Sequence, residues 1–411
     1  MVNASEITSK LVLDLGTTSL CGRYVQRDGL VLKEAQIGNS QAVFGADVVT
    51  RMEKALSGSS GELQEALFND LEGLALQLSG AGGADIDPAL TVVAAGNPAI
   101  SHLLLNLPVE SLLFPPHKPF DYMGRVVTPN ETGLPFPFYL FPLVSGYLGG
   151  DLVACLYGLE EPAPGTLLVD LGTNAEMAIY TGNGWLATSV AAGPAFEGGG
   201  ISCGMRAEPG AIIDVQLDGE RLQFETVAQV SPRGVCGSGL SATVAAALEA
   251  GLLGGEGTLR SSDAVDTNLS RYLVETETGR ALQLYRDAQT RLLLIQEDIR
   301  QFQLAKAAVL AGVNCLLERA GFSDVDVPEV VVTGAFGHGI PKAVLKRVAL
   351  LPEKMVDKVR FTPAGVLDGL QRFLLQADGP EQVAEFVQRI KPYPLSGTPA
   401  FERAFLAALN F

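Results

Sequence analysis

Residues suited to a metal or disulfide framework are scarce in this chain and scattered along it. Of 411 residues only five are cysteine and three are histidine. Cys21, Cys155, Cys203, Cys236 and Cys315 are odd in number and form no C-x-x-C pair, which argues against a disulfide scaffold or a zinc ribbon. His102, His117 and His338 show no ligand spacing with them. Long apolar runs are also missing. Mean hydropathy is +0.24, yet no uninterrupted stretch approaches the ~20 residues a bilayer requires. The richest, from Leu240 to Leu253, carries Glu249 and Gly251 and reads as a buried helix. The opening MVNASEITSK has no basic segment ahead of an apolar block, so no secretory signal is expected and a cytoplasmic location is. Positive charge is short as well: 29 Lys and Arg face 46 Asp and Glu, a net charge of −17. A surface that acidic repels phosphate backbones and anionic lipid, so neither nucleic acid nor a membrane is an expected partner.

What the chain does have is apolar mass and a repeat. Hydrophobic residues make up 47% and charged residues 18%, enough for two or three subdomains with their own cores. Residues 11–19 read LVLDLGTTS and residues 167–175 read LLVDLGTNA; aligned on Asp14 and Asp170, five of nine positions are identical. Both runs are apolar and β-like, reach an aspartate, and turn through Gly-Thr. Self-similarity at that separation points to two copies of one α/β unit. The expected division is residues 1–164 and 165–411, with the crossover at Glu160 to Gly165 and a polar insertion around 251–291. Thr91 to Ala95 and Val330 to Thr333 read as matching buried strands, and Gln296 to Ala320, followed by Gly321, as one long helix. Phe114 to Phe141, rich in Pro and aromatics, reads as irregular, and the run SGYLGGDLVACLYGL after it as a helix leading out of the first half.

The chemistry sits at the two Asp-x-Gly-Thr turns. An aspartate at a strand end can hold a Mg²⁺-bound water, because Mg²⁺ keeps most of its hydration shell and takes few protein carboxylates. Glycine lets the backbone turn tightly, and the amides and hydroxyls that follow form a concavity for phosphate oxygens. Gly16, Thr17 and Thr18 form one such loop, and Gly172, Thr173 and Asn174 the other. One loop alone is common in hairpins. Two in matching positions of two α/β halves can hold a triphosphate from both sides of a cleft. That pattern belongs to the actin, sugar-kinase and heat-shock-chaperone ATPases, whose halves are duplicated RNase H-like units. In that superfamily the loop matching Gly334, Ala335, Phe336 and Gly337 packs on adenosine. Gly237, Ser238 and Gly239 open a helix, where free amides favour anions, so they are candidates for nucleotide contact; tight helix packing explains the glycines equally well. The glycines of AAGPAFEGGGISCGMRAEPGAI suit either a gate over the site or a plain surface hairpin.

Longer motifs narrow the family. LLVDLGTNAEMAIY, AAGPAFEGGGISCGMRAEPGAI, GVCGSGL, IQEDIRQFQLAKAAVLAG, GAFGHGI and FERAFLAALNF, with FGADVVTRM, GNPAISHLLLNLP and LVSGYLGGDLVACL before them, resemble the ATPase domain of the reductive activators of corrinoid proteins. The resemblance runs from about Leu11 to Phe411. It implies ATP and Mg²⁺ as ligands, a corrinoid protein as partner, reduction of Co(II) to Co(I), and a homodimer. Family members take their electron through a [2Fe–2S] ferredoxin-like domain ahead of the ATPase domain. No cysteine set for such a cluster is present here, so a separate ferredoxin-like donor is expected. The resemblance assigns Asp14 and Asp170 to water-mediated Mg²⁺ binding. Asp151 is the first candidate for activating the attacking water and Glu176 its rival. A nucleotide-gated binding module with little turnover and a small-molecule kinase remain the alternatives, since the fold serves all three.

Overall fold

Strands buried on both faces read as continuous apolar runs, and the two that carry the repeated aspartates are of this kind. The computed structural model describes residues 10–80, 91–336 and 339–411. The readings of Met1 to Ser9, Gly337 and His338 therefore lie outside the described residues. The chain divides into two compact units. One comprises residues up to 162 together with Asn183–Trp185 and Ala364–Pro392; the other comprises Ala163–Gly182, Leu186–Pro363 and Tyr393–Phe411. Residues 364–392, which follow the second repeat in sequence, thus belong to the first unit.

In the first unit, β1 (Lys10–Leu15), β2 (Ser19–Val25), β3 (Val31–Gly38), β4 (Thr91–Gly96), β5 (Arg125–Val127) and β6 (Phe138–Leu140) form one sheet in the order β3-β2-β1-β4-β6-β5. β1 pairs antiparallel with β2 and parallel with β4, and β4 pairs parallel with β6. Leu11, Leu13, Leu15 and Val92 lie in its core with Leu67, Leu71 and Leu74 of the helix Ser60–Ser79. The long irregular segment is tied down by buried His102, whose Nδ1 lies 2.8 Å from the Pro98 carbonyl and whose Nε2 accepts the Phe120 amide at 2.9 Å. Helix Gly365–Leu375 lies against helix Gly150–Gly158 at a crossing made of glycines. A methyl on Gly158 would come 3.1 Å from the Gly369 nitrogen, and one on Gly369 would strike the Ala154 carbonyl.

The second unit repeats the plan. β7 (Leu167–Leu171) leads to β8 (Asn174–Tyr180) and β9 (Trp185–Ala191). Two small sheets follow, one of β10 (Ala211–Asp218), β11 (Arg221–Thr226) and β12 (Gly234–Val235), the other of β13 (Leu273–Thr276), β14 (Gly279–Arg286) and β15 (Arg291–Ile295). The chain then enters the 25-residue helix Gln296–Ala320 and returns as β16 (Val330–Gly334) and β17 (Val359–Phe361). The strands of this unit's main sheet run in the order β17-β16-β7-β8-β9, with Ile390–Pro392 as a sixth strand beside β9. β7 pairs antiparallel with β8 and parallel with β16, and β16 parallel with β17. This is the order of β6, β4, β1, β2 and β3, with β17, β16, β7 and β8 also matching the directions of β6, β4, β1 and β2, so the short sequence repeat marks the duplication of an RNase H-like sheet.

The long helix is fixed at its start by Asp298, only 2% exposed. One carboxylate oxygen accepts the Ser202 amide at 2.8 Å and the Ser202 hydroxyl at 3.1 Å, and the other accepts the Ile295 amide at 2.8 Å. It satisfies the amide of the N-cap residue Ile295 and holds the glycine-rich loop in the same act. Among the described residues no helix is long and apolar enough to cross a membrane.

Candidate functional site

Each repeated aspartate ends up beside the C-terminal end of the neighbouring parallel strand, where open α/β sheets collect their ligands. In the first unit Asp14 aligns with Ala95 and Leu15 with Gly96. In the second, Asp170 aligns with Thr333 and Leu171 with Gly334.

The first unit brings together Asp14, the loop Gly16–Thr18, Asn97 and Asp151. Asp14, Gly16, Thr17 and Thr18 are half-buried. The loop is held from two sides. The Asn39 side chain donates to the Gly16 carbonyl at 3.0 Å and its amide to the Thr18 carbonyl at 3.0 Å. From the β4 side, Asn97 donates its side-chain amide to the Thr17 hydroxyl at 3.1 Å while its oxygen caps the helix Pro98–Leu104 through the Ile100 amide at 3.0 Å. A methyl at Gly16 would sit 2.5 Å from the Ser19 carbonyl oxygen, so only glycine permits this turn. Gly149 packs so closely on β4 that a methyl there would be 2.6 Å from the Asn97 Cα and 2.5 Å from an Asp151 carboxylate oxygen. That approach delivers Asp151 to the strand end. Burial pushes its carboxyl up to about 6, against the opposing pull of the Leu152 amide it accepts at 2.8 Å.

The second unit gathers Asp170, Gly172–Asn174, Glu176, Glu197 and Gly334–Ala335. Glu176 stands directly opposite Asp170 in the antiparallel register, so both carboxylates emerge on one face of the hairpin. Glu176 also accepts the Ser189 hydroxyl at 2.8 Å. Gly334 has φ +75°, and a methyl on it would lie 2.5 Å from an Asp170 carboxylate oxygen. The exposed backbone of Gly334 and Ala335 therefore passes beside the aspartate, and the Ala335 amide is spent on the Leu171 carbonyl at 2.6 Å. The ring of Phe336 turns the other way: it is 1% exposed and edge-on to Phe196 at 5.3 Å. Gly237 and Gly239 are buried, and a methyl on either would strike the carbonyl of Phe196 or Ile212 respectively; Ser238, half-buried, lies 3.3 Å from the Cys236 sulfur. Packing thus accounts for both glycines. Asn174 is exposed, and its carbonyl accepts the Gly172 amide at 3.0 Å.

Glu197, Asn97 and Asn39 did not stand out in the sequence. Glu197 accepts the Thr173 amide at 2.7 Å and the Thr173 hydroxyl at 3.2 Å. The one legible signal was its place in a Gly-rich loop; for Asn97 it was the Asn-Pro pair of a helix start. Among the described residues no group of three or more His, Cys, Asp and Glu is arranged to hold a metal. The donor set nevertheless fits Mg²⁺ with a polyphosphate, which uses few protein carboxylates and supplies phosphate oxygens of its own.

Comparison with known proteins gives concordant matches. Residues 165–411 match the family model described as the C-terminal domain of RACo, the ASKHA domain, and residues 10–160 match the RACo middle region. The corrinoid activation enzyme RamQ of Eubacterium limosum is 30% identical over 381 residues, covering 90% of this chain and 64% of that protein. A [Co(II) methylated amine-specific corrinoid protein] reductase of Methanosarcina barkeri is 27% identical over 227 residues, 51% of this chain and 41% of its own. The solved structure of a reductive activator for a corrinoid, iron-sulfur protein superposes with a TM-score of 0.88 at 28% identity, covering all of this chain and 67% of the other. The chain thus spans less than two thirds of the length of the curated relatives it matches.

Proposed function

The chain belongs to the family of reductive activators of corrinoid proteins, and on that premise we propose that it hydrolyses ATP with Mg²⁺ to promote reduction of a partner corrinoid protein from Co(II) to Co(I). The observation that carries the reading is the duplication: each unit places an aspartate and a Gly-Thr loop at the same point of the same sheet. ATP and water give ADP and phosphate, while the electron that reduces cobalt comes from a ferredoxin-like donor. Bound Mg²⁺ neutralises phosphate charge. Asp14 and Asp170, with Glu176 beside the latter, orient its waters. The loops Gly16–Thr18 and Gly172–Asn174 receive the phosphate oxygens, and exposed backbone at Gly334 and Ala335 receives the nucleoside. A homodimer is part of the same proposal, as the family resemblance implies.

Asp151 is the proposed base. A carboxyl held near 6 is mostly ionised at neutral pH yet basic enough to draw a proton from an attacking water. ATP turnover should therefore rise as pH climbs through about 6 and level off above it. In Asp151→Asn that limb should vanish, with turnover lowered ~100-fold or more. A wild-type profile that is flat from pH 5 to 8 would assign the role elsewhere, with Glu176 next in line.

The wider reading is tested by measuring ATP hydrolysis with Mg²⁺, with and without a Co(II) corrinoid protein. Stimulation by the corrinoid protein is the expected result. Unstimulated or absent turnover with nucleotide still bound would instead leave a gated module, and stimulation by a small hydroxylated compound alone a kinase.

A further inference from the structure

One amide of the second phosphate loop is already spent on an anion that belongs to the chain. Glu197 directs a single carboxylate oxygen at Thr173, taking both its amide and its hydroxyl. The same oxygen would lie 3.3 Å from a methyl on Gly172, so it sits over the peptide that the Gly-Thr pair leaves open. One oxygen shared between a loop amide and a threonine hydroxyl is the arrangement a phosphate oxygen adopts in such a nest. Resting on the nucleotide reading above, we propose that Glu197 is a built-in competitor for the second phosphate loop: its carboxylate occupies the Thr173 donors until a nucleotide phosphate takes them and turns it away.

The surrounding chain suits a side chain that swings on a fixed mount. Neighbouring Phe196 is 1% exposed and packs edge-on against Phe302 at 6.0 Å and Phe336 at 5.3 Å. The loop base is pinned to the same threonine, because Gly193 donates to the Thr173 carbonyl at 2.8 Å. Gly193 and Gly198 flank the short turn Pro194–Glu197 with φ of +79° and +78°, which fixes how the turn enters and leaves. The half-buried Glu197 side chain reaches Thr173 from this fixed backbone, so the carboxylate can turn while the turn that carries it stays in place.

Competition has a consequence that a plain strut does not. A strut, when weakened, loosens the loop and lowers nucleotide affinity. A competing anion, when neutralised, raises it, because a phosphate no longer displaces or faces a carboxylate at the same donors. Glu197→Gln keeps an oxygen that can still accept from Thr173, so loop geometry is retained while the charge is removed.

The test is calorimetric titration of the wild type, Glu197→Gln and Glu197→Ala with Mg²⁺ and a non-hydrolysable ATP analogue. Thermal melts alongside it confirm that each variant is folded. Glu197→Gln should bind ~10-fold tighter or more than the wild type. In hydrogen exchange without nucleotide, the Thr173 amide should be protected in the wild type, lose that protection in Glu197→Ala, and regain it when the analogue is added. Nucleotide binding by the wild type with unchanged or weaker binding by folded Glu197→Gln would overturn the competition and leave the nucleotide reading standing. Failure of all three folded proteins to bind would remove both.

Discussion

Replacing Asp170 with asparagine should lower ATP turnover by at least ~100-fold while leaving the protein folded. The substitution preserves shape and one hydrogen-bonding oxygen but removes the charge proposed to steer Mg²⁺-bound water. Phosphoryl transfer asks the protein for positioning and charge neutralisation rather than covalent chemistry, so an aspartate beside the phosphates carries a large share of the effect. Stability should move little, or slightly upward. Asp170 stands opposite Glu176 in the β7–β8 register, and like charges directly opposite one another destabilise a hairpin. The duplication predicts the same loss for Asp14→Asn, whose cross-strand neighbour is Cys21 and which therefore lacks that upward term. Parallel turnover and melting measurements on both variants decide the matter. Turnover within ~3-fold of the wild type in either variant would mean that its loop does not bear on the phosphates.

The second large effect concerns stability. Asp298→Ala should cost roughly 3–5 kcal/mol, because it strands the Ile295 and Ser202 amides and the Ser202 hydroxyl around a carboxylate that is almost fully buried. For a unit of this size that corresponds to a fall in melting temperature of ~10 °C. Asp298→Asn should cost less than the alanine but still destabilise, since its single oxygen can serve either the Ser202 donors or the Ile295 amide while its NH2 faces the other. Urea unfolding followed by circular dichroism reads both. A loss below ~1 kcal/mol for the alanine variant would mean that water replaces the carboxylate at no penalty, and the role assigned here would fall. Since Ser202 lies in the loop that carries Glu197, nucleotide affinity should change in Asp298→Ala as well.

Much of this was visible in the chain itself. The two LxxDLGT runs sit on strands that start and stop within a residue of where the apolar run and the glycine place them, because a buried parallel strand leaves an unmistakable apolar run. Gln296–Ala320 is legible for a similar reason: its apolar spacing and the Gly321 cap are local signals. Asp151 was reachable only through the family resemblance, since its setting depends on Gly149 meeting Asn97 from the far side of the irregular segment. Asp298 was invisible as a buried anchor: acids in a first helical turn are ordinary, and nothing local marks this one as facing inward. Glu197 lay inside a loop read as either gate or hairpin, and only the fold brings it to Thr173. For Gly237 and Gly239 the sequence left an anion site and tight packing equally open, and only the fold shows the backbone carbonyls that crowd both glycines. The return of residues 364–392 to the first unit was likewise illegible, because an amphipathic helix does not name the surface it will cover.

That return bears on how the protein is made. The ribosome finishes residues 1–162 about two hundred residues before it has delivered 364–392, the last piece of the same unit. At ~5–20 residues per second the interval is roughly 10–40 s. Throughout it, the glycine-bearing face of the helix Gly150–Gly158 has no Gly369 to close over it. The unit that is synthesised first is therefore completed late in translation, after most of the second unit has been made.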